Sequence, residues 1–147
     1  MQKNIIMHFP LNTEQNSSLE PNSYWRQIMK YFLQKADSIE IHCWNEETTT
    51  IEEIKSQFYL DTDIIQEDKL TIFHGKNTAA FTQYISNKAG ALKWFTVNLM
   101  NGKTMVLHSS HWGTEIFVPN VTEQEISFIK SVSPKDALIE SYIAPFF

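Results

Sequence analysis

Apolar side chains recur with helical spacing in one segment of the N-terminal half. Between Tyr24 and Ala36 they occupy positions i, i+3, i+4, i+7 and i+8, which form one face of an α-helix. The residues of this stripe are Trp25, Ile28, Met29, Phe32 and Leu33. We predict a helix from about Tyr24 to Ala36 with Ser23 at its N-cap. It follows an apolar edge strand at residues 4–9 and a polar loop from Pro10 to Asn22.

A strict alternation of apolar and polar residues follows between Ser38 and Trp44, and this pattern is typical of a half-buried strand. Ile39, Ile41 and Cys43 point to one side, and Glu40, His42 and Trp44 point to the other. Next, Thr50-Ile-Glu-Glu53 matches a capping box. It predicts a helix with Thr50 at the N-cap and with Ile51, Ile54 and Phe58 on its apolar side.

The middle of the chain predicts shorter elements. Residues Asp61 to Asp68 are rich in acidic side chains and are interpreted as a loop. A strand is predicted at Leu70–His74, and Gly75 ends it. A helix from about Thr78 to Asn87 follows.

The C-terminal half has the clearest strand pattern. Strand-like runs at Lys93–Met100 and Lys103–His108 flank Asn101-Gly102, a pair that suits a type I′ turn. After a break at Ser109–Gly113, a third strand is predicted at Glu115–Val118, and Pro119 should end it. A second capping box is Thr122-Glu-Gln-Glu125. A last helix should begin at Ser133-Pro134 and carry Leu138, Ile139, Tyr142 and Ile143.

These elements together predict the fold class. We expect an α+β protein in which an antiparallel sheet, with a C-terminal three-strand meander, has helices packed on one face. At 147 residues the chain should form a single domain spanning residues 1–147.

Acidic residues are concentrated in one window, from Asp37 to Asp68. It contains ten of the seventeen acidic residues and one basic residue, Lys55, so its net charge is −9. The remaining seven acidic and eleven basic residues give +4, and the whole chain therefore has the net charge of −5. An acidic surface on an otherwise mildly basic protein indicates a cationic partner.

Composition narrows the functional classes. Cys43 is the single cysteine, so no disulfide within the chain stabilises the fold. No segment approaches the ~18 apolar residues of a membrane span, and the N-terminal apolar run is too short for a signal peptide. A pI near 5.5 and a single arginine, Arg26, argue against nucleic-acid binding. We expect a cytoplasmic protein without a membrane association.

Four short motifs could carry chemistry. His108-Ser-Ser-His111-Trp112 offers two imidazoles beside serines, but a metal site needs further ligands and none is marked by spacing. His42-Cys43, together with His74, could suggest a Cys/His nucleophilic pair. However, His42 and Cys43 should face opposite sides of their strand, and Cys43 fits the core. The acidic run Asp61-Thr-Asp63 with Glu67 and Asp68 could hold a divalent cation, but it lacks the glycine that a calcium-binding loop needs at its sharp turn. Gly75-Lys76 lacks the upstream glycines of a phosphate-binding loop. We therefore expect no metal and no cofactor.

In its size and its acidic block, the chain resembles the small acidic immunity proteins of bacterial toxin–immunity systems. The block consists of Glu46, Glu47, Glu52, Glu53, Asp61, Asp63, Glu67 and Asp68. The resemblance implies a cytoplasmic inhibitor that binds and neutralises a partner toxin, often a basic nuclease. The same residues, together with the aromatic Trp44, are the predicted partner-binding site.

Two other functional classes remain open. The chain could be a small-ligand or metal-binding enzyme that uses the region of His108, His111 and Trp112. It could also be an adaptor domain without chemistry, in which the aromatic C-terminus, Pro145-Phe146-Phe147, is a contact between subunits.

Overall fold

The computed structural model describes residues 2–10, 23–86 and 93–143. Within these residues the chain forms eight β-strands and four α-helices. In chain order they are β1 (Lys3–His8), α1 (Ser23–Leu33), β2 (Ser38–Trp44), α2 (Thr48–Phe58), β3 (Thr62–Gln66), β4 (Leu70–Lys76), α3 (Ala79–Ile85), β5 (Thr96–Asn101), β6 (Thr104–Ser110), β7 (Glu115–Val121), α4 (Glu123–Val132) and β8 (Leu138–Ile143). None of these helices is long and apolar enough to cross a membrane.

All eight strands belong to one antiparallel sheet. Its order is β3-β4-β2-β5-β6-β7-β1-β8, so β3 and β8 are the two edges. The predicted α+β class with an antiparallel sheet is confirmed. The sheet is larger than the sequence indicated. Its eight strands are continuous, and β5, β6 and β7 are the fourth, fifth and sixth of them.

One face of the sheet forms the core. Ile39, Ile41 and Cys43 of β2 are fully buried there, as the alternating pattern predicted. The apolar faces of α1, α2, α3 and α4 join these residues in one cluster. The opposite face of the sheet carries the polar residues of the alternating pattern, and no described helix covers it. We call it the open face; the strand register places Glu40, His42, His74, Asn98, His108 and Glu115 on it.

The predicted N-terminal helix is confirmed, but it begins at Ser23, which is therefore not its N-cap, and it ends at Leu33 and not near Ala36. Its stripe is buried, and Trp25 Nε1 donates a hydrogen bond of 2.8 Å to the carbonyl oxygen of Ile85 at the end of α3. Asn77 Nδ2 donates to the carbonyl oxygens of Leu33 and Ala36, so the unpaired end of α1 is satisfied from the loop after β4.

The predicted last helix is wrong, because residues 138–143 form the edge strand β8. Leu138, Ile139, Tyr142 and Ile143 fit helical spacing. However, β-branched and aromatic residues also favour strands. The pairing that decides between them is with β1, more than 130 residues away, and local patterns contain no sign of it. For the same reason β1 was taken for an edge strand, whereas it lies between β7 and β8.

The predicted loop at Asp61–Asp68 is also wrong, because Thr62–Gln66 form β3, which pairs with β4. Only Thr62 and Ile64 are partly buried, while Asp63, Ile65 and Gln66 are exposed, so the apolar alternation is weak. An edge strand with a polar outer surface has the composition of a loop. It becomes a strand here because β4 offers it a partner.

Several boundaries also differ from the prediction. The second helix begins at Thr48, so Thr50 is not its N-cap, and Glu47 occupies that position without a capping bond. Strand β7 continues through Pro119 to Val121, because a register shift in its pairing with β1 and the positive φ of Asn120 accommodate the proline. By contrast, the capping box from Thr122 to Glu125 is confirmed.

The hairpin between β5 and β6 has a different turn from the predicted one. Asn101 pairs with Thr104, so the two turn residues are Gly102 and Lys103. Only Gly102 has a positive φ, 60°. This fits the first position of a type II′ turn, whereas type I′ needs positive φ at both positions. Strand β6 also extends to Ser110, into the predicted break.

Candidate binding surface at the acidic edge of the sheet

The ten acidic residues of the window from Asp37 to Asp68 fall into two groups. Four are bonded within the fold: Asp37, Glu40, Glu47 and Glu53. The carboxylate of Asp37 accepts hydrogen bonds from the backbone N–H of Gly102 and thereby fixes the β5–β6 turn. Each of these four carboxylates therefore has a bonding partner within the fold.

Glu47 joins two parts of the chain that are distant in sequence. Its Oε1 accepts a hydrogen bond of 2.9 Å from the backbone N–H of Trp44, and its Oε2 accepts one of 2.8 Å from Trp112 Nε1. The rings of Trp44 and Trp112 both lie 4.9 Å, between ring centroids, from Phe95. Trp44 is therefore half-buried in an aromatic cluster at the end of β2 and is not a freely exposed anchor.

Replacing Glu47 with alanine should lower the free energy of unfolding by about 1–3 kcal/mol, because two half-buried N–H donors lose their acceptor. The matched control is the adjacent Glu46→Ala, whose exposed carboxylate makes no bond to a described side chain and whose loss should change stability by less than about 0.5 kcal/mol. Urea unfolding monitored by tryptophan fluorescence measures both variants. Equal effects would contradict the assigned role of Glu47.

Glu53 is held by Lys93. The two side chains form an ion pair, and both are partly buried. Burial opposes ionisation of Glu53, but the hydrogen bonds from Lys93 and Tyr84 outweigh it and lower the pKa of the carboxyl. Its neighbour Glu52 is exposed on the same helix, so adjacent acidic residues again differ in role.

A hydrogen-bonded row crosses the open face. His42 Nε2 lies 2.6 Å from Glu40 Oε1, Asn98 Nδ2 donates to the same oxygen at 3.3 Å, and His108 Nδ1 lies 2.6 Å from Asn98 Oδ1. Burial and the nearby His42 and His111 lower the pKa of His108. Glu40 is also bonded by this row: burial opposes its ionisation, but the bonds from His42 and Asn98 prevail and lower its pKa.

The cluster of His108, His111 and Trp112 is not assembled around a shared centre. His108 belongs to the row on the open face, and Trp112 is bonded to Glu47. His111 and Trp112 adopt positive φ angles of 50° and 57° in the β6–β7 turn, where His111 Nδ1 lies 3.3 Å from Glu115 Oε2. Across the described residues, no three side chains of histidine, cysteine, aspartate or glutamate are placed to hold a metal ion together.

Cys43 lies in the core, as predicted, and its neighbour His42 points to the open face. Burial, with a contribution from the charge of Glu47, raises the pKa of the Cys43 thiol to about 12. A thiol with such a pKa is protonated at neutral pH and is a poor nucleophile. His42 and Cys43 are adjacent in sequence but lie on opposite faces of the sheet, so they do not form a Cys/His pair.

The second group of acidic residues is exposed. None of its members forms an ion pair with a residue in the described ranges. These residues are Glu46, Glu52, Asp61, Asp63, Glu67 and Asp68. Glu52 lies on α2, whereas the last four lie on β3 and its two flanking turns. Glu46 is nearby, since the side chain of the adjacent Asn45 donates to the carbonyl oxygen of Asp68.

Exposed apolar side chains accompany these four carboxylates. Tyr59 is 65% exposed, Leu60 is 92% exposed and Ile65 is 50% exposed, although all three are large hydrophobic residues. We call the segment from Tyr59 to Asp68 the β3 surface. The sequence predicted its acidic residues but not its apolar ones. Their signal was the presence of large apolar side chains within and just before the acidic run that was interpreted as a loop.

An open cavity of about 410 Å³ adjoins the β3 surface. Leu60, Asp61 and Asp63 line one side, and His74 and Lys76 of β4 line the other. Gly75 also borders this cavity, and a Cβ atom there would lie 2.9 Å from the carbonyl oxygen of Asp61. The turn before β3 therefore packs directly against the backbone of β4, and the two aspartates are held at the cavity by this close approach.

Comparisons with known proteins add no relative. No protein-family model, no curated protein and no solved structure matches this chain. We therefore infer function from the residues of the site.

Proposed function

We propose that this protein is a cytoplasmic protein-binding inhibitor that neutralises a basic partner through the β3 surface, as an immunity protein neutralises its toxin. One observation carries the proposal. Four exposed carboxylates, those of Asp61, Asp63, Glu67 and Asp68, surround exposed apolar side chains on one short segment.

This arrangement has the composition of a protein-binding site. Apolar side chains such as Leu60 and Ile65 contribute binding free energy when a partner removes them from water. Carboxylates around them attract a cationic surface and disfavour anionic ones, which accelerates association and selects the partner. Glu46 and Glu52 extend the negative potential beyond the segment.

A nuclease toxin is the partner class that this charge pattern suits best. Nucleases bind phosphates with lysine and arginine side chains, and carboxylates on a competing protein can pair with the same cations. A chain with a pI near 5.5 that presents four exposed carboxylates on the β3 surface would cover such a surface and exclude nucleic acid.

The experiment is co-purification with the basic protein encoded by the neighbouring gene, followed by affinity measurement. Reversing two charges on the β3 surface, with Asp61→Lys and Asp63→Lys together, should weaken binding at least about tenfold, which corresponds to about 1.4 kcal/mol. The matched control reverses two exposed acidic residues at the opposite edge, Asp136→Lys with Glu140→Lys. It has the same change in net charge and should alter the affinity less than about threefold.

Raising the salt concentration should weaken binding of the unmodified protein, because the attraction is between exposed charges. Two results would overturn the proposal: an affinity that neither salt nor the reversal on the β3 surface alters, or equal losses from both pairs of substitutions.

A further inference from the structure

Within the described residues, no strand pairs with the outer edge of β3. As a terminal strand of the sheet, β3 pairs with β4 on one side only. An exposed sheet edge of this kind can accept a strand from another protein. The charge reversals above test where a partner binds, whereas the backbone of β3 indicates how it binds.

The hydrogen-bonding pattern identifies which backbone groups of β3 face outward. On the β3 side of β4, the N–H of Glu67 donates to the carbonyl oxygen of Leu70. On the β2 side, the N–H of Asn45 donates to the carbonyl oxygen of Lys69. Because bonded residues alternate along an antiparallel pair, both bonds indicate that alternate residues of β4, beginning at Leu70, bond to β3. Asp63 and Ile65 bond to β4, whereas the N–H and C=O groups of the other three residues, Thr62, Ile64 and Gln66, point away from the sheet.

The side chains of β3 alternate between the two faces of the sheet with the same two-residue period as its backbone hydrogen bonds. Asp63 and Ile65 lie on the open face, and Glu67, which is bonded opposite Leu70, follows on the same side. Thr62, Ile64 and Gln66 have their side chains toward the helix-covered face. An added strand would therefore meet a mainly acidic row on one face and Ile64 on the other.

We propose that the basic partner binds by adding a β-strand to the outer edge of β3, with lysine or arginine side chains on the open face and apolar side chains beside Ile64. This inference rests on the proposed function and specifies its mode of binding. Opposite charges directly across neighbouring strands stabilise the pairing by about 0.2–1 kcal/mol each. The cavity beside Asp61 and Asp63 has room for the end of one long cationic side chain.

A second copy of this chain is a poor occupant of the same edge. Pairing two β3 strands would bring Asp61, Asp63 and Glu67 close to the same residues of the other copy, and like charges facing each other across strands are destabilising. The acidic residues thus discourage self-association at this edge and select a cationic strand.

Every pairing in the described sheet is antiparallel, and we place the added strand antiparallel to β3 as well, which fixes which of its backbone positions are bonded. In an antiparallel pair, directly opposite residues share a face, so the residues that hydrogen-bond to Thr62, Ile64 and Gln66 have their side chains on the side of Ile64. The cationic residues of the added strand then lie between the bonded positions. N-methylation of the apolar residues should block the pairing, whereas N-methylation of the cationic residues should not.

The test uses a capped hexapeptide of alternating lysine and valine, titrated against the full chain and followed by NMR. We expect binding at β3, with slowed amide exchange at Ile64 and Gln66 and unchanged exchange at Ile65, which already bonds to β4. The peptide that is N-methylated on its valines should bind at least about tenfold more weakly, and the one methylated on its lysines should bind like the parent. A glutamate–valine peptide should not bind.

A pair of variants tests the same edge from the protein side. Gln66→Pro removes an outward N–H, and Gln66→Ala removes the same side-chain hydrogen bonds to Asn45 and Thr71 while keeping that N–H. Only the proline variant should lose affinity for the lysine–valine peptide. Far-UV circular dichroism verifies that both variants are folded.

The outcomes separate the mode of binding from the function. Salt-dependent binding of the lysine–valine peptide, with neither amide protection nor a difference between the two methylated forms, would overturn strand addition but leave the proposed inhibitor intact. If the peptide does not bind although the basic partner does, strand addition is also overturned. If neither the peptide nor a basic partner binds, both proposals fail.

Discussion

Replacing Trp25 with alanine is expected to lower the free energy of unfolding by about 3–5 kcal/mol. The indole is fully buried, its ring lies 6.1 Å from that of Trp94, and its Nε1 bonds to the carbonyl oxygen of Ile85. The substitution leaves a cavity and an unpaired carbonyl between α1 and α3. Urea unfolding measures the loss.

Two further variants separate the contributions at this position. Trp25→Phe keeps an aromatic ring but removes the hydrogen bond, so its loss should lie well below that of alanine. Arg26→Ala changes the next residue of the same helix, which is exposed, and should have almost no effect. If alanine and phenylalanine were equally destabilising, the hydrogen bond and not the packing would dominate.

Replacing Glu125 with alanine is expected to lower the free energy of unfolding by about 2–4 kcal/mol at neutral pH. Its side chain is only 5% exposed, yet it accepts hydrogen bonds from Tyr31 and from the backbone N–H of Thr122, and it pairs with Lys35. The residue thus closes the capping box of α4 and connects that helix to α1.

The same carboxylate should make stability depend on pH. Burial opposes its ionisation, but the bonds from Lys35, Thr122 and Tyr31 outweigh burial, so the pKa of Glu125 lies below its ordinary value of 4.5. Because the folded state favours the ionised form, this contribution is complete above pH 4.5. It is lost as the pH falls through the lower pKa of the folded state.

Urea unfolding between pH 7 and pH 3 measures this effect. Glu125→Gln should be less stable than the unmodified protein at pH 7, and the gap between them should narrow toward pH 3. The control is Gln124→Ala, an exposed neighbour that should follow the unmodified protein throughout. A constant gap would show that the ionisation of Glu125 contributes no stability.

Local patterns in the sequence predicted the elements whose signals are local. The stripe of α1, the alternation of β2 and the capping box of α4 depend on residues a few positions apart, and all three were confirmed. The two edge strands were missed because each is defined by a partner. Residues 138–143 become a strand only because β1 pairs with them, and residues 62–66 only because β4 does.

The same difference between local patterns and contacts of distant residues applies to the candidate site. Charge counting located the acidic window, but it could not separate Glu47 from Glu46, or Glu53 from Glu52. The partners that distinguish them are Trp112, 65 residues from Glu47, and Lys93, 40 residues from Glu53. The apolar half of the β3 surface was missed because Tyr59, Leu60 and Ile65 resemble core residues until their exposure is known.

The position of β1 has a consequence for biosynthesis. Lys3–His8 leave the ribosome more than 100 residues before their neighbours at 115–121 and 138–143. Strands β2 to β6 are consecutive in the chain and can assemble earlier, and such distant pairings form slowly. We therefore expect the edge with the proposed binding surface to form early in translation, while the opposite edge closes only after residues 138–143 have been synthesised. A nascent chain stopped before Leu138 would expose β1 as an unprotected edge, which favours aggregation.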